Sequence, residues 1–183
     1  MRFVAAVAAL ALLAACEKPA DRSQQASANK DGKAAEAASS TVAAAAAKPL
    51  SKKAALKLMH DRHEDMEKIG KAVKAARQQI NAATPDVAIV RQSAAIIAGL
   101  APRVPSWFPA GTGPDVGKTM AKPEIWQKPQ DFAAKSRDFH KAALAFDAAA
   151  RAGDLTSIKA RFGDLGKTCK ACHDPYRNEH EKH

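Results

Sequence analysis

Aromatic residues are scarce in this chain: two Trp, one Tyr and six Phe among 183 residues. A core of this size with so few rings is thin, and a large buried cofactor would help to fill it. Glycine is also sparse, at nine residues. With abundant Ala, Lys, Leu and Gln, that composition excludes a turn-rich β architecture and favours helices. No strand alternation is present, which excludes a βαβ setting. No nucleic-acid recognition motif is present either, so nucleic acid is not an expected partner. Cysteine is limited to three, at 16, 169 and 172.

The ends of the chain differ from its middle. Met1-Arg2 precedes an apolar, uncharged run from Phe3 to Ala15. That run is too short to span a bilayer and has the form of a secretory signal. It closes on Leu13-Ala14-Ala15-Cys16, which resembles a bacterial lipobox whose cysteine is lipidated; an ordinary signal with a chance cysteine is the plainer alternative. Residues 17–50 contain no aromatic residue and few large aliphatics, so they cannot bury enough apolar surface to offset ordering entropy. The expected organisation is a lipoprotein signal over 1–16, a flexible tether over 17–50 and a helical domain over 51–183. If Cys16 carries lipid and the other two cysteines act together, no thiol is left for stray disulfide chemistry.

Four amphipathic segments are predicted in the domain. The first spans Ser51 to Asn81 with a stripe of Leu56, Met59, His63, Met66, Gly70, Val73, Arg77 and Ile80 in alternating steps of three and four. His63, Gly70 and Arg77 are poor core residues, which marks mid-helix as unusual. Thr84-Pro85 offers a start for the second, ending near Leu100. Prolines and glycines then recur from 101 to 129, a long crossover that holds Trp107 and Trp126. The third runs from Pro129 to Ala152 with Gly153 as its C-cap. Asp154 caps the fourth, whose stripe Leu155, Ile158, Phe162, Leu165, Cys169 and Cys172 is the cleanest in the chain. The fold expected is all-α: an antiparallel four-helix bundle with one long crossover.

The stripe ends in Cys169-Lys-Ala-Cys172-His173. This C-x-x-C-H run is the attachment signature of haem c. Two thiols one turn apart can each form a thioether to one haem edge, and the adjacent imidazole can reach the iron. A thioredoxin-like pair would want a βαβ setting, and structural zinc would need two further ligands, for which only His180 and His183 are at hand. One covalent haem c per chain, inside the bundle, is therefore the expected cofactor.

At these residues the chain resembles the class II c-type cytochromes, the cytochrome c′ family, over about residues 60–178. The resemblance is carried by Trp107-Phe108-Pro109, Ala121-Lys-Pro-Glu-Ile-Trp126, Ala152-Gly-Asp-Leu155, and Gly166-Lys-Thr-Cys-Lys-Ala-Cys-His-Asp174 followed by Tyr176-Arg177. It implies that Cys169 and Cys172 bind haem, that His173 is the proximal ligand and that Arg177 flanks the proximal pocket. On the distal side, Arg62-His-Glu-Asp-Met66-Glu-Lys-Ile-Gly70 resembles the low-spin, methionine-ligated branch, apart from Glu67 where lysine is usual. Ala55-Leu-Lys-Leu-Met59 resembles high-spin members and would put Leu56 over the iron. Met66 stands twenty residues before Asp86 and Leu56 thirty; the family spacing selects Met66. Gly70 would let haem approach the helix closely. His63, on the same stripe, is the alternative ligand; His60, Met59 and His140 are placed less well.

Residues 51–183 hold 23 basic and 15 acidic side chains, a balance of +8. That suits docking to acidic faces of redox partner proteins, or simple solubility. The function expected is a periplasm-facing, lipid-anchored electron carrier, not an enzyme, with His173 and Met66 on the iron. A high-spin, gas-binding cytochrome c′ is the alternative. Glu17 after Cys16 leans towards the outer membrane, and the resemblance implies a possible homodimer through the first two helices.

Overall fold

The computed structural model describes residues 50–179. The signal with Cys16, the tether up to residue 49, and His180 and His183 lie outside them.

Local signals set the helix ends. Helix α1 (Lys52–Ile80) starts where Ser51 Oγ accepts from the Ala54 amide at 3.3 Å. Helix α2 (Val87–Leu100) opens at Asp86, whose carboxylate accepts from the Ala88 and Ile89 amides at 2.8 and 3.4 Å. The sequence pointed to Thr84-Pro85 for this start. A carboxylate that reaches two orphan amides is the stronger cap, and Pro85 falls just outside.

The chain then tightens into a 3-10 helix (Ala101–Trp107), with Pro105 inside it. A single helical turn, α3 (Glu124–Gln127), precedes the long α4 (Pro129–Ala152). Helix α4 stops at Gly153, whose φ of 83° is left-handed and whose amide donates to Ala149 O at 3.0 Å. Asp154 then caps α5 (Leu155–Tyr176) by accepting from the Ser157 amide at 2.8 Å. These two ends lie where the sequence placed them.

Helix α1 packs on α2, α2 on α4, and α4 on α5, but α1 and α5 barely meet. Val90, Ile97, Ala143, Phe146, Ile158 and Leu165 form the fully buried centre. Burying a side chain such as Phe146 is worth about 1.5–3 kcal/mol. Among the described residues there is one isolated bridge, between Ala121 and Arg177. There the end of the crossover is stapled to the end of α5: Lys122 N donates to Tyr176 O at 2.9 Å and Asn178 N to Met120 O at 2.8 Å. The crossover is thus more ordered than its prolines suggest, and its own side chains pack it. Trp126 Nε1 donates to Phe108 O and Pro109 O, each at 3.1 Å.

The buried line of α1 corrects the sequence-based stripe. Ala55, Met59, Arg62, Asp65, Ile69, Ala72, Ala76 and Ile80 face inward. Leu56, His63, Gly70 and Arg77 are exposed, and Met66 and Val73 are only partly covered. The helix is rotated by about one residue because the crossover satisfies two charged residues, Arg62 and Asp65, that apolar periodicity alone would exclude from the interior.

Candidate functional site

Helix α5 carries the cysteine segment through its last two turns. Cys169 and Cys172 are partly buried against the core and form no disulfide. Burial pushes both thiols up in pKa, Cys172 to about 11. Each therefore stays a protonated thiol at neutral pH, the opposite of an activated redox pair. His173 remains solvent-accessible at the end of the bundle. Partial burial, aided by Arg177 and opposed by Asp174, holds its imidazole below the ordinary value. A neutral imidazole keeps a lone pair free for a metal. The Arg177 amide donates to His173 O at 2.9 Å and ends the helix, so the expected neighbours Cys169, Cys172, His173 and Arg177 do lie together.

The residues expected on the opposite side separate. Met66 is partly buried against the same core cluster as the two cysteines. His63 turns outward, with Nε2 3.2 Å from Glu67 Oε1. Leu56 lies 42% exposed near the N-terminus of α1, and its Cδ2 lies only 2.6 Å from where a side-chain carbon on Gly117 would fall. Of the three, Met66 alone belongs to the cluster that contains the cysteines.

Sequence reasoning missed Arg62. It is 5% exposed, yet all its hydrogen-bond acceptors are neutral: Trp107 O, Thr112 O, Thr112 Oγ1 and Thr119 Oγ1, at 3.0–3.4 Å. Its guanidinium also lies over the Phe108 ring, 4.6 Å from the centroid. Burial pushes its pKa down to about 10, which leaves it charged at neutral pH. Beside it, the indole Nε1 of Trp107 is buried with no acceptor. The signal available in the sequence was its place at the head of the Arg62-His-Glu-Asp-Met66 run.

These observations test whether a haem fits. A buried cation without a carboxylate and a buried N–H without an acceptor both call for an anionic oxygen, which a haem propionate provides. Helix α1 has little contact with α5. Two thiols and an imidazole line the α5 side. The residues fit haem c. Among the described residues no cluster of three or more His, Cys, Asp or Glu could hold a bare metal ion.

Comparison with known proteins agrees. The family model for Cytochrome C′ matches residues 57–177. The cytochrome c′ of Alcaligenes xylosoxydans xylosoxydans is 44% identical over 40% of this chain and 56% of its own length. The chain thus matches less than two thirds of that relative. A solved cytochrome c′ described by its ligand-controlled dimer dissociation superposes with a TM-score of 0.64 at 28% identity, covering 72% of this chain and 100% of that one. The nitric oxide complex of a cytochrome c′ variant from Alcaligenes xylosoxidans gives a TM-score of 0.57 at 29% identity, covering 73% and 100%. Relatives of this chain can therefore dimerise, and the expected all-α bundle is the family's fold. What the comparisons support is the family as a whole, and not its methionine-ligated branch. The chain belongs to the cytochrome c′ family, whose members carry one covalently bound haem c per chain.

Proposed function

We propose that this chain is a periplasmic monohaem protein that takes a small diatomic gas, nitric oxide or carbon monoxide, on the iron face opposite His173. The observation that carries the reading is that Cys169 and Cys172 pack against the core while α1 makes little contact with α5. A relative solved with nitric oxide bound supports the same class of ligand. In this reading Cys169 and Cys172 hold the haem through thioethers, His173 is the proximal ligand and Arg177 flanks it. Arg62 and Trp107 receive a propionate. Bound haem supplies an iron that coordinates diatomic ligands and changes oxidation state by one electron. The protein's part is to orient the ring, keep the His173 imidazole neutral and limit solvent at the opposite face. No substrate chemistry is proposed.

A second reading rests on Met66. Its position in the cluster that holds the cysteines, with His63 turned to Glu67, suits a thioether on the sixth position and a low-spin electron carrier. The positive balance would then serve docking to acidic redox partners. Optical spectra of the ferric and ferrous protein, with and without carbon monoxide, separate the two. The gas-binding reading expects a high-spin spectrum that shifts promptly with carbon monoxide and is unchanged in Met66→Leu. A low-spin spectrum that resists carbon monoxide, and becomes high-spin in Met66→Leu, moves the function to electron transfer.

Two finer proposals attach to this function. The groove between α1 and α2, lined by Ala72, Ala75, Ile89 and Ile96 and rimmed by Lys68 and Lys71, suits a homodimer through the first two helices. The carbon monoxide titration, repeated in a sedimentation cell, reads it. The second is lipid anchoring at Cys16, in the outer membrane. It predicts a mature chain that begins at Cys16 with the added mass of a diacylglyceryl group, and a mass that starts at any other residue removes it.

A further inference from the structure

Tyr176 is the single tyrosine of the chain. It lies three residues beyond His173 and four beyond Cys172, in the last turn of α5. Its residue is 3% exposed, and its hydroxyl donates to Asp131 Oδ2 on α4. The Asp131 side chain is half exposed, at 52%, and Lys135 Nζ lies 3.8 Å from its other oxygen. The tyrosine ring meets Phe132 edge-on at 5.4 Å. Phe132 meets Phe108 at 4.9 Å and Phe108 meets Trp126 at 6.1 Å. An aromatic row therefore runs from the crossover to the turn beside the cysteine segment.

A buried phenol needs only one acceptor, and a backbone carbonyl would serve as a mere tie between helices. Here the acceptor is a carboxylate, the side-chain group that can also take the proton. Burial first, then Asp131, with smaller contributions from Cys172 and Glu124, pushes the phenol up to about 12. Near neutral pH the hydroxyl therefore does not lose a proton alone. Loss of an electron changes that, because the oxidised phenol is strongly acidic and a base is already hydrogen-bonded to it.

We propose that Tyr176 and Asp131 form a proton-coupled one-electron donor beside the haem site. The phenol gives one electron to a strong one-electron oxidant, of the kind hydrogen peroxide generates at a haem. Its O–H bond breaks, the proton passes to Asp131 Oδ2, and a neutral tyrosyl radical and a carboxylic acid result. The oxidant gains the electron, and a later electron and the same proton restore the pair. Its service is to draw oxidising equivalents away from the haem edge towards a half-exposed carboxylate. This rests on the haem reading above only for the source of the oxidant.

The test uses the full haem-loaded chain in the ferric state, frozen within seconds of one equivalent of hydrogen peroxide and read by electron paramagnetic resonance. A parallel arm replaces peroxide with flash-generated tris(bipyridyl)ruthenium(III). The expected result is a tyrosyl signal in both arms, absent in Tyr176→Phe. In Asp131→Asn, whose amide is a far weaker base, it falls by about tenfold or more. A single tyrosine makes the wild-type signal self-assigning even if the phenylalanine variant fails to fold. A tryptophan signal alone, or a wild-type yield in Asp131→Asn, overturns the proposal. A tyrosyl signal with ruthenium but none with peroxide keeps the pair as a donor and overturns its link to the haem.

Discussion

Serine at both 169 and 172 is expected to free the haem, so that acidified organic solvent extracts the pigment from the variant but not from the wild type. Thioether attachment needs sulfur, and Cys169 and Cys172 are the two cysteines packed against the core. The consequence for stability is also large. A tethered ligand stabilises the folded state without limit of dilution, whereas a free one does so only as RT ln(1 + [L]/Kd), about 4 kcal/mol at a thousandfold excess over Kd. Once diluted, the variant should lose stability of about that order. It would leave Met66, Val73 and Phe162 partly uncovered, with only protein to pack on. Thermal melts by circular dichroism, before and after gel filtration, check this. Retention of the wild-type midpoint by a haem-free variant would mean that the bundle does not depend on its cofactor.

Arg62→Leu is expected to cost about 3 kcal/mol or more. Leucine would fill part of the volume, but Trp107 O and Thr112 O would lose their donors in a buried place. Each orphaned acceptor costs about 1–3 kcal/mol. Arg62→Lys should recover only part of the loss, because a point charge cannot reproduce a planar fork that reaches residues 107, 112 and 119 together. Urea unfolding of the haem-loaded proteins measures both. A leucine variant as stable as the wild type would show that water can replace the guanidinium.

The contrast between these two sites explains what was legible. Both ends of α4 and the start of α5 could be read to the residue, because Pro129, Gly153 and Asp154 act on amides and carbonyls within four positions of themselves. The cysteine segment was legible because its spacing is itself the chemistry. Local rules failed where the partner is remote. Arg62 gives no local sign of burial because its acceptors lie 45 to 57 residues further on. The same loss of information shifted the inner face of α1 by one residue. Asp65, likewise, becomes a plausible interior residue only once Arg103, 3.1 Å away, is known to face it. The pairing of Tyr176 is equally hidden, since Asp131 sits 45 positions earlier. On the distal side, Met66 and Leu56 could be ranked by spacing to Asp86, but which ligand the iron finally takes is a property of the loaded protein.

The weak meeting of α1 with α5 also bears on the order in which the chain assembles. The α4–α5 hairpin closes through two residues, Gly153 and Asp154, between helices adjacent in sequence, and such local pairings form early because little loop entropy is lost. Helix α1 has its main partner in α2 and little hold on α5. A nascent chain can thus present its two thiols on a formed hairpin while the opposite wall is still absent. A rigid planar pigment could then be fastened from the open side, with α1 closing over it last. Pulsed hydrogen exchange during refolding should find α4 and α5 amides protected before those of α1, and the reverse order would exclude this route.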